Sequence, residues 1–385
     1  MLTSERLDRL NPLVSVIVPN FNHRDFLPQR VQSISEQLYQ YIEIILLDDC
    51  SNDDSQAILR QFKESDARVV HCEFNLENSG RPISQWIKGL QVARGKYVWI
   101  AESDDFSDSN FIHTLLGVME SDQRIGIGYC ASVQVDASSA HVGHFELNSP
   151  LFEYNLWQKD FVLDGKYLVD GYFPIRNIIP NASAALFSRE LLVKHIYKAA
   201  DFSLVADWLV YIHIALESRI AFVNQPLNYC RVHSTSVTRS HSIASYRRML
   251  RERLSIFRTL FEHANMTTHG ASALKQMLEN RHKFVRAERL YAKINNAHSP
   301  NKLYGLYGFN DIAKYIVDRT NTAHLPAFVI DKSKAGNQYN HIPITAIEDV
   351  DMDDVGVIAI LSLRYAAEME DELRKRGFDG EVLIV

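Results

Sequence analysis

Between Val14 and Ser132, short apolar runs alternate with stretches whose apolar residues recur at helical spacing, and this alternation restricts the fold more than any other feature. Val14–Val18 is a β-prone run ended by Pro19, and Phe26 to Leu38 repeats apolar residues every three or four positions. The same reading predicts strands at Ile42–Leu47, Arg68–Cys72, Tyr97–Ala101 and Ile125–Ser132. Helices are predicted through Ala57–Phe62, Ser84–Ala93 and Phe111–Met119. Strands that alternate with helices pair in parallel, because each crossover helix carries the chain back to the same edge. The predicted fold class is therefore α/β, a mostly parallel sheet with helices on both faces. Open sheets of this kind bind ligands outside the carboxyl ends of their strands, so the residues just after each strand are the ones to read for chemistry.

Those residues are polar and acidic. The first strand leads into Pro19-Asn20-Phe21-Asn22, and the second into Asp48-Asp49-Cys50-Ser51-Asn52-Asp53-Asp54, which also offers caps for the next helix. Tyr97-Val98-Trp99-Ile100-Ala101 runs straight into Glu102-Ser103-Asp104-Asp105. Three carboxylates in four positions repel one another unless a cation neutralises them. Hard oxygen donors suit Mg²⁺ or Mn²⁺, ions commonly shared between one or two carboxylates and substrate phosphates. The alternative is a solvated acidic turn that caps the helix beginning near Asp108.

At 385 residues the chain is long enough for two or three domains, and its net charge of −6 argues against bulk nucleic-acid binding. Met1 to Leu10 is charged and lacks the apolar core of a signal peptide. No apolar run approaches the ~20 residues of a membrane helix. Cys50, Cys72, Cys130 and Cys230 are scattered without metal-ligand spacing. A cytoplasmic location is the expectation. Val135 to Pro180 is irregular and aromatic, the composition of a substrate-facing region. Leu204–Leu216 reads as a helix and Ala221–Val223 as a short strand.

After Ser240 the pattern changes to two long amphipathic helices, Tyr246 to Phe261 and Ala271 to Ile294. The first carries Arg247, Arg248, Arg251, Arg253 and Arg258 around an apolar stripe, which either lies on an anionic membrane surface or packs on a neighbour. From Leu303 a second α/β pattern begins, with strands at Leu303–Tyr307, Ala327–Ile330, Gly356–Leu361 and Glu381–Val385 and a helix at Ala366–Arg376. Asp331, about twenty residues past Gly308, stands where a dinucleotide fold keeps its ribose-binding acid. However, Asn310 occupies the position of the second fingerprint glycine, where backbone must approach pyrophosphate, so a nucleotide is not expected there.

The ordered set of blocks is specific. Val16-Ile17-Val18-Pro19-Asn20-Phe21-Asn22, Asp48-Asp49-Cys50-Ser51-Asn52-Asp53, Asn78-Ser79-Gly80 before Gln85-Trp86-Ile87-Lys88-Gly89, and Glu102-Ser103-Asp104-Asp105 are followed by Ala206-Asp207-Trp208 and Tyr229-Cys230-Arg231-Val232-His233. Together, across roughly residues 13 to 240, they closely resemble the family 2 glycosyltransferases, whose catalytic domain has the GT-A fold. The resemblance implies a GT-A domain over residues 1–240, a helical connector over 241–300 and a Rossmann-like accessory domain over 301–385. It implies that Pro19, Asn20, Asn22, Asp48, Asp49 and Gly80 hold the nucleotide-sugar, Asp49 accepting the base N–H. Glu102 stands at the first aspartate of the family's DXD-type motif, which leaves Asp105 and Asp104 as metal ligands, with Asp104 also facing the donor. Asp207 matches the catalytic base, although Ala206 replaces the acidic residue that usually precedes it. Arg231 and His233 match positions that meet the diphosphate or the metal. Trp86 and Lys88 depart from the family's Arg-Asn pair, and Trp86 is either core packing or a sugar-stacking face. Asn181 and Ser183 fall in the region that meets donor sugar or acceptor.

The implied function is a Mn²⁺- or Mg²⁺-dependent inverting transfer from a nucleotide-diphospho-sugar, UDP-sugar favoured, to a glycan or lipid-linked acceptor in bacterial surface polysaccharide synthesis. Peripheral membrane contact and a homo-oligomer are compatible with this reading; nucleic acid is not a partner. The competing readings are a catalytically quiet sugar-nucleotide-binding scaffold, suggested by Ala206, and a nucleotidyltransferase. The latter is disfavoured because the N-terminal region lacks a glycine-rich, lysine-bearing phosphate loop.

Overall fold

A computed structural model of the chain describes residues 11–145, 156–232, 243–265, 268–297, 302–319 and 325–385. They fall into two compact units, residues 1–240 with 244–274, and residues 241–243 with 275–385. In the first unit the chain passes through β1 (Val14–Asn20), α1 (Leu27–Ser35), β2 (Ile42–Asp48), α2 (Ser55–Ser65), β3 (Val69–Phe74) and α3 (Pro82–Val92). It continues through β4 (Tyr97–Ile100), β5 (Phe106–Ser107), α4 (Phe111–Ser121), β6 (Ile125–Val135), β7 (His141–His144), β8 (Phe161–Asp164) and α5 (Gly165–Gly171). Then follow β9 (Ala185–Ser188), α6 (Arg189–Ile196), α7 (Ala206–Ala215), β10 (Arg219–Arg231) and α8 (Ile243–His263).

Every residue of β1 and β2 is buried, which is why both read as unbroken apolar runs rather than alternating ones. β3, β2, β1 and β4 pair in parallel, as the alternation predicts. α3 lies close against β1 at Gly89, where an added Cβ would stand 2.5 Å from Ile17 Cγ2. Beyond β4 the sheet departs from expectation. β9 inserts antiparallel between β4 and β6, and β5 and β8 pair antiparallel with β10, giving a mixed ten-stranded sheet. Four-residue strands such as β8 and β9 have no crossover helix to announce them.

β10 runs through thirteen residues where only Ala221–Val223 was expected. Asn224-Gln225-Pro226 interrupts its apolar pattern, and register shifts on both sides of Pro226 show the interruption to be a bulge within one strand. The aromatic stretch Val135 to Pro180 is also more ordered than its composition suggests. Trp157 packs edge-on to Phe161 and Tyr172 and donates to the Tyr129 hydroxyl at 2.7 Å, so much of that aromatic content is internal packing. Residues 146–155, with Phe152 and Tyr154, lie outside the described residues.

The second unit holds most of α9 (Thr268–Ala297), then β11 (Leu303–Tyr307), α10 (Asp311–Arg319), β12 (Phe328–Ile330), β13 (Gln338–Tyr339), β14 (Ile342–Thr345), β15 (Val355–Ile360), α11 (Ala366–Lys375) and β16 (Glu381–Ile384). Its six strands run in the order β13-β14-β12-β11-β15-β16, all parallel except β13. Leu290 and Ile294 of α9 share a core with Tyr304, Leu306, Ala313 and Ile316. Among the described residues, no helix is long and apolar enough to cross a membrane.

Candidate active site

The loops that leave β1 and β2 are tied to each other. Asn20 donates through Nδ2 to Asp48 Oδ2 at 2.8 Å and to Ser51 Oγ at 3.1 Å, and Asn22, at φ 55°, donates its backbone N–H to the same hydroxyl. Asp48 also accepts from Ser51 N and Gln56 Nε2, so this buried carboxylate shapes the loop. Asp49 accepts four bonds, from Asn75 Nδ2, Ser79 N, Ser79 Oγ and Gln85 Nε2, between 2.6 and 2.9 Å. It thereby anchors the Asn78-Ser79-Gly80 turn, in which Gly80 takes a φ of 64° that side chains disfavour. The buried carbonyl Oδ1 of Asn20 has no partner among the described residues, leaving an acceptor beside this loop.

The acid loop follows β4. Trp86 of α3 is 4% exposed and donates Nε1–H to Glu102 Oε1 at 2.9 Å, so it is a core residue that orients Glu102 and not a stacking face. Burial, with Asp104 adding repulsion, pushes the Glu102 carboxyl up to about 8. Asp105 is raised for the same two reasons. Beneath the loop lies Arg30, fully buried on α1, donating to the Glu102 carbonyl at 2.8 Å and to Ser183 Oγ at 3.2 Å with its guanidinium 5.3 Å from the Trp99 ring centroid. Desolvation lowers Arg30 only to about 10, so it remains a cation. Sequence reading missed it. Its signal was an arginine in helical register with Leu27 and Ile34, on a face the sheet buries.

The segment 177–183 joins the acid loop to the predicted base. Asn177 Nδ2 donates to Asp207 Oδ2 at 2.9 Å, Asn181 Nδ2 donates to Asp105 Oδ2, and Ser183 Oγ accepts from Glu102 N at 3.1 Å. Asp207 lies in the first turn of α7, and burial raises it to about 6. The Tyr211 hydroxyl, one turn further along α7, is fully buried and feels the charge of both Asp207 and Glu102. Asp207 and the acid loop therefore belong to one electrostatic neighbourhood.

Arg231 behaves differently from its sequence expectation. It is 4% exposed, and its guanidinium donates to the Asp104, Asp136 and Ala137 carbonyls, Ser139 Oγ and Gln29 Oε1. Its backbone N–H donates to Asp105 Oδ1 at 2.9 Å. With its donors turned to protein acceptors, Arg231 clamps the acid loop instead of facing a leaving diphosphate. The reason is β10, which continues to Arg231 and holds it inside the sheet. His233 lies outside the described residues. Lys88 pairs with Glu73 at 2.6 Å and with Asn75, beside the Asp49 anchor.

Among the described residues, no three His, Cys, Asp or Glu side chains form a ready-made metal set. The donor chemistry of Asp104 and Asp105 nonetheless fits a hard cation. Asp105 accepts from Asn181, from Arg231 N and from Ser183 and still retains lone-pair capacity, and two carboxylates completed by phosphate oxygens are a common Mg²⁺ arrangement.

Residues 15–171 match the family model described as glycosyl transferase family 2. Over 94 residues the chain is 42% identical to the putative teichuronic acid biosynthesis glycosyltransferase TuaG of Bacillus subtilis, covering 24% of this chain and 36% of that protein. Over 122 residues it is 40% identical to glycosyltransferase GlyG of Streptococcus pneumoniae, covering 31% and 39%. Over 105 residues it is 32% identical to the GalNAc(5)-diNAcBac-PP-undecaprenol beta-1,3-glucosyltransferase of Campylobacter jejuni, covering 27% and 34%. The matches thus span little more than a third of each relative. The solved structure of S. aureus TarS 1-349 in complex with UDP-GlcNAc shares the fold, with a TM-score of 0.51 at 16% identity over 73% of this chain and 76% of that one.

Proposed function

We propose, on the premise that residues 15–171 make this chain a member of glycosyl transferase family 2, that it moves a sugar from a nucleotide-diphospho-sugar to a glycan or lipid-linked acceptor with inversion at the anomeric carbon. The observation that carries this reading is the segment 177–183, which hydrogen-bonds Asp207 through Asn177 and Asp105 through Asn181. A base for the acceptor and an acid loop for the donor are held by one stretch of chain.

In this reading the acceptor hydroxyl loses its proton to Asp207 as its oxygen bonds to the anomeric carbon. The bond from that carbon to the diphosphate oxygen breaks, and the nucleoside diphosphate leaves with the electron pair. A carboxyl group poised near neutrality suits this work, since it accepts a proton readily while remaining largely ionised above its pKa. Asp104 and Asp105 would hold Mn²⁺ or Mg²⁺, whose chemistry is Lewis-acid neutralisation of the diphosphate. Asn20, Asn22 and Gly80 would line the nucleotide, with Asp48 and Asp49 holding their loops in shape; Pro19 is the last residue but one of β1, where that lining begins. The activities for which the relatives are named, teichuronic acid synthesis and transfer to a PP-undecaprenol-linked glycan, support a surface-glycan acceptor here.

The test is release of free nucleoside diphosphate from UDP-, GDP- and dTDP-sugars in Mn²⁺ with undecaprenyl-diphosphate glycans as acceptors. Turnover that stops on chelation, and loss of metal-dependent donor binding in Asp105→Ala, are the expected results. Undiminished turnover in chelator would remove the metal from the account. Pyrophosphate release would point to nucleotidyl transfer, and donor binding without turnover to the scaffold reading.

A further inference from the structure

The helix that carries Asp207 begins poorly by its own sequence. Val205 at its N-cap has no side-chain acceptor and Ala206 offers no charge; the first-turn N–H groups of Asp207 and Trp208 turn to the Asp207 carboxylate itself, and the N–H groups that lead into the helix, from Ser203 to Val205, take their acceptor from elsewhere. Glu252 supplies it from α8, far along the chain and outside the family match. The Glu252 side chain is 6% exposed, and its carboxylate accepts from Ser203 N at 2.9 Å, Ser203 Oγ at 3.1 Å, Leu204 N at 2.9 Å and Val205 N at 3.0 Å. Four donors on one buried carboxylate satisfy it fully, which is the condition for keeping an anion inside a protein. Two neighbours extend the grip. Arg248 Nη1 donates to Ser203 Oγ at 3.2 Å, and the Arg253 guanidinium stands 5.9 Å from the Trp208 ring centroid. α8 therefore holds the chain on both sides of Asp207.

We propose that Glu252 is the positioning residue of the base, a carboxylate delivered from α8 that replaces in space the acid missing at Ala206 and fixes the start of α7 so that Asp207 meets the acceptor hydroxyl. The proposal rests on the reading of Asp207 as the base. Position is one part of the role. A helix N-terminus favours anions, so with the start of α7 otherwise unneutralised Asp207 would ionise more easily. Glu252 opposes that by occupying the same end with negative charge, and its repulsion contributes to the raised Asp207. Besides burial, which raises it, the groups that act on Asp207 are the backbone N–H of Trp208, the neutral amide of Asn177 and its own backbone N–H, all of which favour its charge, and Glu252 of α8, which opposes it; Tyr211 of its own helix feels the Asp207 charge in turn, and the Arg253 guanidinium faces the Trp208 ring beside it.

The experiment is steady-state transfer by the full-length chain as wild type, Glu252→Gln and Glu252→Asp, each with a pH–rate profile. Glutamine keeps the shape but turns an amide donor toward backbone N–H groups that need an acceptor. Glu252→Gln is expected to lower kcat by about ten- to a hundredfold, the scale of a small misplacement of a reacting group. Its donor KM should stay within about twofold, and its acid limb should move to lower pH. Glu252→Asp keeps the charge, so its acid limb should stay in place while kcat falls because the shorter arm cannot reach all four donors. If Glu252→Gln does not fold, Glu252→Asp alone decides, and full kcat in that variant overturns the proposal. A folded Glu252→Gln with wild-type kcat and an unmoved acid limb also overturns it. If the wild type itself transfers no sugar from any donor, the fault lies with the assigned function and not with Glu252.

Discussion

Each unit contains a parallel core in which the second strand ends in an acid, β2 in Asp48-Asp49 and β12 in Asp331. In both, the loop after the first strand is held by a backbone bond to that neighbour, Asp49 N to the Asn20 carbonyl and Gly308 N to the Ile330 carbonyl. In both, the second-strand acid is a local fastener. Asp49 gathers Asn75, Ser79 and Gln85, and Asp331 gathers Phe309 N, Ser333 N and Ser333 Oγ. The units part at the strand on the other side of the first. β4 runs into Glu102-Ser103-Asp104-Asp105, while β15 runs into Leu361-Ser362-Leu363-Arg364, which carries no carboxylate. The charge states follow. Burial and repulsion from Asp104 raise Glu102 and Asp105, whereas at Asp331 desolvation is the largest single effect but the hydrogen bonds from Ser333 and Phe309 N together outweigh it and hold the group below its ordinary value. A shared sheet order provides a crevice; electrostatic discomfort inside it marks where a ligand is wanted.

The hardest blow to this contrast falls on α7. Asp207→Asn keeps the Asn177 contact within reach of an amide oxygen but removes the proton acceptor. It should lower kcat by at least ~10²-fold while donor KM is retained. Near-wild-type turnover would place the base elsewhere and empty the first unit of its assigned chemistry.

The next effect is graded by pH. As the proposed base, Asp207 would act in its ionised form, and burial raises its carboxyl to about 6, so a rise in pH through that value is expected to switch activity on. Below it, kcat should fall about tenfold per pH unit, measured under donor saturation. An acid limb near the usual carboxylate range, about 4, would mean that the buried base is not the titrating group.

A smaller effect separates function from stability. A carboxyl raised in the fold weakens the native state as pH climbs from its unfolded value through its folded one, which for Glu102 runs from about 4.5 to about 8. Glu102→Gln keeps an acceptor for Trp86 and removes that penalty. The variant should melt at or above the wild type at pH 8, and the advantage should vanish below about pH 4.5. A variant less stable at pH 8 than the wild type would show that the acid loop is not under electrostatic strain.

Much of this was legible from residue order. The parallel half, β1 to β4, announced itself because buried strands are unbroken apolar runs, and the acids that follow β2 and β4 sit where the alternation located them. β9 and the full length of β10 were hidden, since short antiparallel pairing leaves no crossover signature and Asn224-Gln225-Pro226 reads as an end. Trp86 could not be assigned until Glu102 was seen within reach of its indole. Arg30 and Arg231 carry charges that sequence reading places at a surface or a ligand, yet both are enclosed, and only the tertiary fold shows which carbonyls receive them. Glu252 was the least visible, because nothing in an amphipathic arginine-rich helix signals that one of its acids caps a helix over forty residues upstream.

The smallest effect tests the other side of the contrast. Asp331 is depressed by bonds to Ser333 and Phe309 N, so its contribution to stability is present above its unfolded pKa and is lost as pH falls through its folded value. Asp331→Asn retains one acceptor oxygen and gives up the charge. The second unit should lose no more than about 1 kcal/mol at pH 7, the scale of one hydrogen bond, and the loss should shrink toward zero as pH falls through the lowered folded-state value of Asp331. Sugar transfer should be unchanged at every pH, because the β15 loop has no carboxylate with which Asp331 could cooperate. Calorimetry and a transfer assay on the same preparation measure both. Asp331→Asn losing transfer while its melting is unaltered would break the comparison outright, for it would mean that chemistry resides at the strand ends of both sheets.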